Sequence, residues 1–269
     1  MNAPFPIDAY QTAIAIAFHN KKLIADMVLP RVPVSKKSFK YLEHNKDQSF
    51  TIPDTRVGRK SAPNQVSFSS ESKTDSTEDY GLDDKIPFDD INQAPENFDP
   101  LGHSTESLTN LILLGREVRT AGLVFDPASY ATGNKKTLSG IAQWSDFANS
   151  KPLEELKYAL DVPLMRPNIM TIGRLAFTKL SMHPDVIKAT QANGSDSGVA
   201  TRNAIAAILE LDDLLVGEGF VNTAKKGQAA NMQRVWGSHV ALTYHDSLAR
   251  PDSGTTFGFT AQYGERVSG

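Results

Sequence analysis

The feature that most limits what this chain can fold into is the stretch from residue 35 to residue 90. Serine, threonine, lysine and acidic residues dominate it. A compact domain rarely carries so long a polar insert unless the insert reaches a partner. Short alternating pieces punctuate it: Phe39-Lys40-Tyr41-Leu42, Phe50-Thr51-Ile52 and Val66-Ser67-Phe68. Turn-forming residues sit between them at Pro53-Asp54, Val57-Gly58 and Pro63-Asn64. The pattern predicts a long two-stranded hairpin. Such a ribbon is marginal alone in water, so Phe39, Tyr41, Phe50, Ile52 and Phe68 are expected to meet a third layer supplied by a partner surface.

The zones on either side are more apolar. In residues 1–34, Ile14, Phe18 and Lys22 are spaced for one helical face, and Asp8 is placed to cap its start. A second apolar group, Leu23, Ile24, Met27 and Val28, ends at Pro30, and Pro33 forces an extended exit. The clearest helix is expected over 101–125. Leu111, Leu114, Val118, Ala121 and Phe125 repeat at 3-4-3-4 spacing and are expected to form its core face. Ser104 or Thr105 is the expected N-cap, Arg116 and Arg119 lie toward the C-terminal end, and Asp126-Pro127 stops the helix.

Residues from about 140 onward read as a compact mixture of helices and strands. Ser150 and Pro152 start a helix burying Leu153, Leu156 and Leu160. Residues 168–173 read as a strand, a helix runs through Leu175 and Leu180, and His183-Pro184 marks a junction. Ala204, Ile205, Ile208 and Leu209 mark another helix, and Leu214-Leu215-Val216 a buried strand. Val240, Leu242 and Tyr244 alternate, as do Phe257, Phe259, Ala261 and Tyr263. The mixture predicts an α+β class, not a doubly wound sheet.

Composition closes several routes. A chain of 269 residues buries enough surface to need no disulfide staples. Zero cysteines exclude thiolate catalysis, zinc–thiolate sites and iron–sulfur clusters. A net charge of −3 is not that of a nucleic-acid coat. No apolar run has the length of a membrane span, and Met1 to Tyr10 lacks the pattern of a secretory signal. G-x-S-x-G, H-E-x-x-H and Walker A motifs are missing. Thr132-Gly133-Asn134-Lys135-Lys136-Thr137 lacks the glycine before Lys-Thr that lets amides cradle phosphate, and reads as a solvated basic turn. Leu214 to Asn222 offers a strand and then Gly217-x-Gly219, but the third glycine position is Asn222. A tight turn is the better reading, with a cofactor turn as the enzyme alternative. Asp83, Asp84, Asp89 and Asp90 are acidic enough to raise a cation site, yet their spacing is not that of an EF-hand and Lys85 interrupts them. No catalytic, cofactor-binding or metal-binding residue is assigned, and no cofactor is expected. Trp144 and Trp236 read as core or interface anchors.

Four segments, in order, resemble phage major capsid proteins of the HK97 fold. Ile24-Ala25-Asp26-Met27-Val28-Leu29-Pro30-Arg31-Val32-Pro33-Val34 is similar to the N-terminal arm of that family. Tyr80-Gly81-Leu82-Asp83-Asp84-Lys85-Ile86-Pro87, with Asp90, Asn92 and Ala94, resembles the return from its extended loop. Leu113-Leu114-Gly115-Arg116-Glu117-Val118-Arg119-Thr120-Ala121 resembles the spine helix. Arg166-Pro167-Asn168-Ile169-Met170-Thr171-Ile172-Gly173, with Leu180, His183-Pro184 and Val186, resembles the entry to the axial domain.

The resemblance implies an arm (1–34), an extended loop (35–90), a peripheral domain (91–162) containing the spine helix, an axial domain (163–250), and a return strand toward the peripheral domain (251–269) that looks incomplete beside the family pattern. It implies a structural, non-enzymatic subunit that self-assembles into pentamers, hexamers and an icosahedral head shell enclosing DNA. The partners it implies are other copies, then scaffold, portal and decoration proteins, with weak non-specific contact to packaged DNA and none to membrane. The implied location is the virion, after assembly in the host bacterial cytoplasm. Some family members cross-link lysine to asparagine; Lys46, Lys60 and Lys73 lie in the loop, but no local motif marks any as a donor. An encapsulin-like compartment shell is the alternative, against which the long arm argues.

Overall fold

The computed structural model describes residues 5–44, 50–67, 69–191, 198–248 and 255–269. The arm begins with α1 (Ala9–Ala17), and the Asp8 carboxylate accepts from the Gln11 amide at 2.8 Å. This helix ends at Phe18. Lys22 therefore stands outside it, in the turn before α2 (Ala25–Val28), and does not share a helical face with Ile14 and Phe18. The short strand β1 (Arg31–Pro33) follows.

The polar stretch does contain an antiparallel pair, β2 (Ser38–His44) and β3 (Ser70–Ser76), with Phe39 opposite Asp75 and Tyr41 opposite Lys73. The second strand is not the expected one. Phe50-Thr51-Ile52 and Val66-Ser67 lie outside strands, and Phe68 lies outside the described residues. Ser70–Ser76 carries no apolar residue and is exposed along its whole length, so hydrophobic alternation could not reveal it. Charge and backbone pairing hold the ribbon: Lys73 pairs with Glu43 and Lys37 with Asp79.

After α3 (Phe88–Asn92) comes the longest helix, α4 (Pro100–Val124). Its cap is Asp99, ahead of the expected Ser104 or Thr105; the carboxylate accepts from the Leu101 amide at 3.1 Å and Pro100 fills the first helical position. Ser104 instead donates to Asp84, and Thr105 bonds back to the Leu101 carbonyl. A run of short 3₁₀ turns leads to α5 (Pro152–Asp161), which buries Leu156 and Leu160.

The remaining chain forms β4 (Ile169–Gly173), α6 (Arg174–Ser181), α7 (Pro184–Thr190), α8 (Arg202–Leu209), β5 (Asp213–Gly217), the hairpin β6 (Phe220–Asn222) and β7 (Met232–Arg234), then β8 (Val240–Thr243) and β9 (Thr260–Gln262). The order β5-β4-β8 makes one mixed sheet, with β4 parallel to β5 and antiparallel to β8. The fold is accordingly α+β. Because side chains alternate across a strand, the sheet divides two cores. Met170, Ile172, Leu214 and Val216 pack with Leu156, Leu160, Phe177, Leu180, Ile205 and Leu209. Leu215 and Ala241 face the other way, onto Ile24, Val28, Leu29, Val124 and Trp236. The arm is thus part of the second core. β9 pairs in parallel with β1, and the last residues bond back to α1: Ser268 O accepts from the Asp8 amide at 2.9 Å. β9 therefore meets the arm, and its Thr260 also meets α4 through Arg116.

Gly217 and Gly173 are opposite each other in register. A Cβ on Gly217 would lie 2.1 Å from the Trp236 ring, and one on Gly173 would lie 2.1 Å from the Gly237 carbonyl. Gly217 serves this close approach, and a strand, not a helix, follows Gly219. The turn is not a dinucleotide site.

Candidate assembly surface

The outlying ribbon presents its apolar residues unevenly. Phe39 and Tyr41 share one face of β2, half-buried, with ring centroids 6.5 Å apart. Beyond the paired strands Phe50 is exposed and Ile52 is 90% exposed. Lys60 is exposed, Lys73 is engaged by Glu43, and Lys46 lies outside the described residues.

The α4 residues read as core do not all lie inside. Ala121 is buried and Leu114 is half-buried, but Leu111 is 53% and Val118 40% exposed. The buried side of the helix is instead Gly102, Thr105, Thr109, Arg116, Glu117, Thr120, Ala121 and Val124. The expectation of an apolar core face through Leu111 and Val118 is corrected. The helix turns a mostly polar stripe to its own subunit because that stripe grips the arm, and it leaves an apolar stripe outside.

That grip is made by buried polar groups. Glu117 is fully buried in mid-helix. Its carboxylate accepts from the Ile24 amide at 3.0 Å, the Ala25 amide at 2.8 Å and the Trp236 indole N–H at 2.5 Å. Burial pushes its pKa up, and the three donors oppose that. Next to it Arg116 pairs with Asp26, and donates to the Leu29 carbonyl at 2.9 Å and Thr260 Oγ1 at 3.0 Å. Burial weakens the hold of Arg116 on its proton. Burial also raises the Asp26 pKa, but the hydrogen bond from Arg31 and the charge of Arg116 outweigh it, and the net shift is downward. Arg116 is therefore a clamp between arm, α4 and β9, not a dipole-capping cation. The buried Glu117 was not visible in sequence, where a mid-helix Glu beside an Arg reads as a solvated pair. The one available signal was the stripe of small and polar residues at Thr105, Thr109 and Thr120 opposite the apolar face.

Other sequence candidates find structural roles. The Arg119 guanidinium sits 3.8 Å from the Tyr80 ring centroid, which pins the segment leaving the ribbon to α4. Asp84 accepts from Ser104 at 2.6 Å, while Asp83, Asp89 and Asp90 are exposed. Among the described residues no three His, Asp or Glu side chains gather in a metal-binding group. Lys135 donates to the Pro127 carbonyl and Lys136 pairs with Glu155, as expected of a basic turn. His183 caps α7 through Nδ1, which accepts from the Asp185 amide at 3.2 Å, and its Nε2 lies 3.0 Å from Ser150 Oγ. Burial lowers its pKa. Among the described residues no helix is long and apolar enough to cross a membrane.

Among the described residues the ribbon has no third layer and α4 turns an apolar stripe outward, surfaces of the kind that other chains cover. Comparison with known proteins agrees. No protein-family model matches the chain. The chain is 53% identical over 268 residues to the major capsid protein of Pseudomonas phage JBD67, covering 100% of this chain and 86% of that protein. It is 29% identical over 244 residues to the major capsid protein of Burkholderia phage BcepMu, covering 88% of this chain and 76% of that one. A phage-related protein from Bordetella bronchiseptica RB50 has a similar fold, with a TM-score of 0.70 at 24% identity, over 96% of this chain and 83% of that one. The chain belongs to the phage major capsid protein family.

Proposed function

We propose that the chain is the shell-building subunit of a phage head, of the HK97 type, and that its work is self-association, not catalysis. Full-length relationship to a phage major capsid protein supports the capsid role. In this reading residues 35–90 are the extended loop, Pro100–Val124 is the spine of a peripheral domain spanning 91–162, and residues 163–250 form the axial domain around the shell's five- and six-fold axes. Its partners are other copies of itself, then scaffold, portal and decoration proteins, and it resides in the virion after assembly in the bacterial cytoplasm. Neither of the two capsid relatives favours an encapsulin-like compartment.

One observation carries the mode of association: the ribbon lacks a third layer while α4 turns Leu111 and Val118 to solvent. The ribbon of one copy, through Phe39, Tyr41, Phe50, Ile52 and Phe68, covers the apolar stripe of the next. Each surface then gains the burial that neither has alone. The test is Leu111→Asp with Val118→Asp. The variant stays folded by circular dichroism, because both sites are exposed, and forms no shells or capsomers by electron microscopy and light scattering. Normal closed shells from this variant would refute the proposed contact.

A further inference from the structure

We infer a second contact between copies: a cationic cleft beside the arm receives the acidic segment Asp83–Asp90 of another copy. The cleft, about 460 Å³, opens between the arm turn, α4 and the β6–β7 hairpin, and Lys22, Leu114, Arg174, Glu218, Phe220 and Arg234 line it. Asn20 fixes its rim by a 2.8 Å bond to Asn110. Glu218, its one acidic group, is shared by Arg174 and Arg202 at 3.2 Å each. Lys22 has no ion pair among the described residues, and Arg234 lies 4.4 Å from the Phe220 ring centroid, likewise without a carboxylate partner. The cleft therefore joins an apolar floor to unneutralised positive charge.

The same chain carries the complement. Asp83, Asp89 and Asp90 are exposed, without an ion pair among the described residues, and Phe88 between them is 83% exposed. That exposure shows that Phe88 does not fill its own cleft. Ser104 and Arg119 hold this segment against its own α4 through Asp84 and Tyr80, so it is presented outward in a fixed place. An aromatic anchor flanked by carboxylates fits an apolar floor flanked by cations, and charge pairing of this kind sets register between partners. A contact between unlike patches of identical chains is head-to-tail, and it closes into a ring when the rotation between copies allows. This inference rests on the self-assembly proposed above.

The chain has no cysteine, so introduced thiols report contacts without background. Copies carrying F88C are mixed with copies carrying F220C under assembly conditions and oxidised; a disulfide needs Cα atoms within about 7 Å. The expected result is a covalent heterodimer in many-fold excess over an F88C and Y158C mixture. K22E with R234E in the F220C copy abolishes the excess, and D89K with D90K in the F88C copy restores it. Shells that form without a selective cross-link, or a cross-link blind to charge reversal, overturn this contact and leave the capsid reading standing. A wild-type chain that never assembles overturns the parent reading as well. If K22E with R234E lowers binding of a DNA oligonucleotide while the cross-link is unchanged, the cleft is a phosphate site and the inference fails.

Discussion

The arm and the ribbon both lie outside the β5-β4-β8 sheet, yet they are held in opposite ways. The arm is locked inside its own subunit by a buried carboxylate, an arginine and the apolar side chains Ile24, Val28 and Leu29. The ribbon is joined through its two strands to itself, and its apolar residues face outward beyond them. An extended segment belongs to the monomer when buried polar groups of the body satisfy its backbone. One whose own strands satisfy its backbone is not tied to the body by that backbone, and its side chains remain unmatched.

The largest effect should come from breaking the arm lock. Glu117→Ala strands three donors, two of them arm amides and one the Trp236 indole, in a buried space. A cost of about 3–5 kcal/mol is expected in chemical denaturation. Glu117→Gln should cost less but not nothing, because its NH₂ must face an N–H. A variant as stable as the wild type would erase the distinction between the two regions.

A pH effect of intermediate size should appear at the start of α7. Burial depresses the His183 pKa below its ordinary 6.5. The folded state therefore favours the neutral ring, which contributes stability above about pH 6.5 that is lost as pH falls through the lower folded value. Melting temperature followed from pH 8 to pH 5 should fall more steeply for the wild type than for His183→Asn, which can still cap α7 but does not titrate. Parallel slopes would show that His183 is not the titrating group.

A smaller effect is expected on the outer face of α4. Leu111→Ser should change monomer stability by no more than about 0.5 kcal/mol, since the side chain is already half in water. Leu114→Ala, half-buried at the cleft, should fall below the roughly 2–5 kcal/mol of a fully packed leucine. Fully core-like losses at both sites would mean that the stripe is packed within the monomer after all.

What could be read from sequence follows from what is local. Asp8 as a cap, Pro152 as a helix start, His183 at a helix junction and the strands around Ile172 and Leu215 are decided by neighbours within a few residues, and they stand where expected. The apolar repeat Leu111-Leu114-Val118 was equally legible as a stripe. Periodicity reports only that a face is apolar, not whether its cover comes from the same chain. The strand Ser70–Ser76 was hidden because register and charge, not alternation, specify it. The Glu117 clamp was hidden because its donors come from residues 24, 25 and 236, far apart in the chain.

The most direct test of this division of labour is replacement of residues 40–75 by a short Gly/Ser linker. Loop-closure entropy changes slowly with length, so the body should tolerate the exchange. The expected product is a soluble protein that unfolds cooperatively near the wild-type temperature and forms no closed shells by electron microscopy. Loss of the folded body, or normal shells without the ribbon, would contradict it.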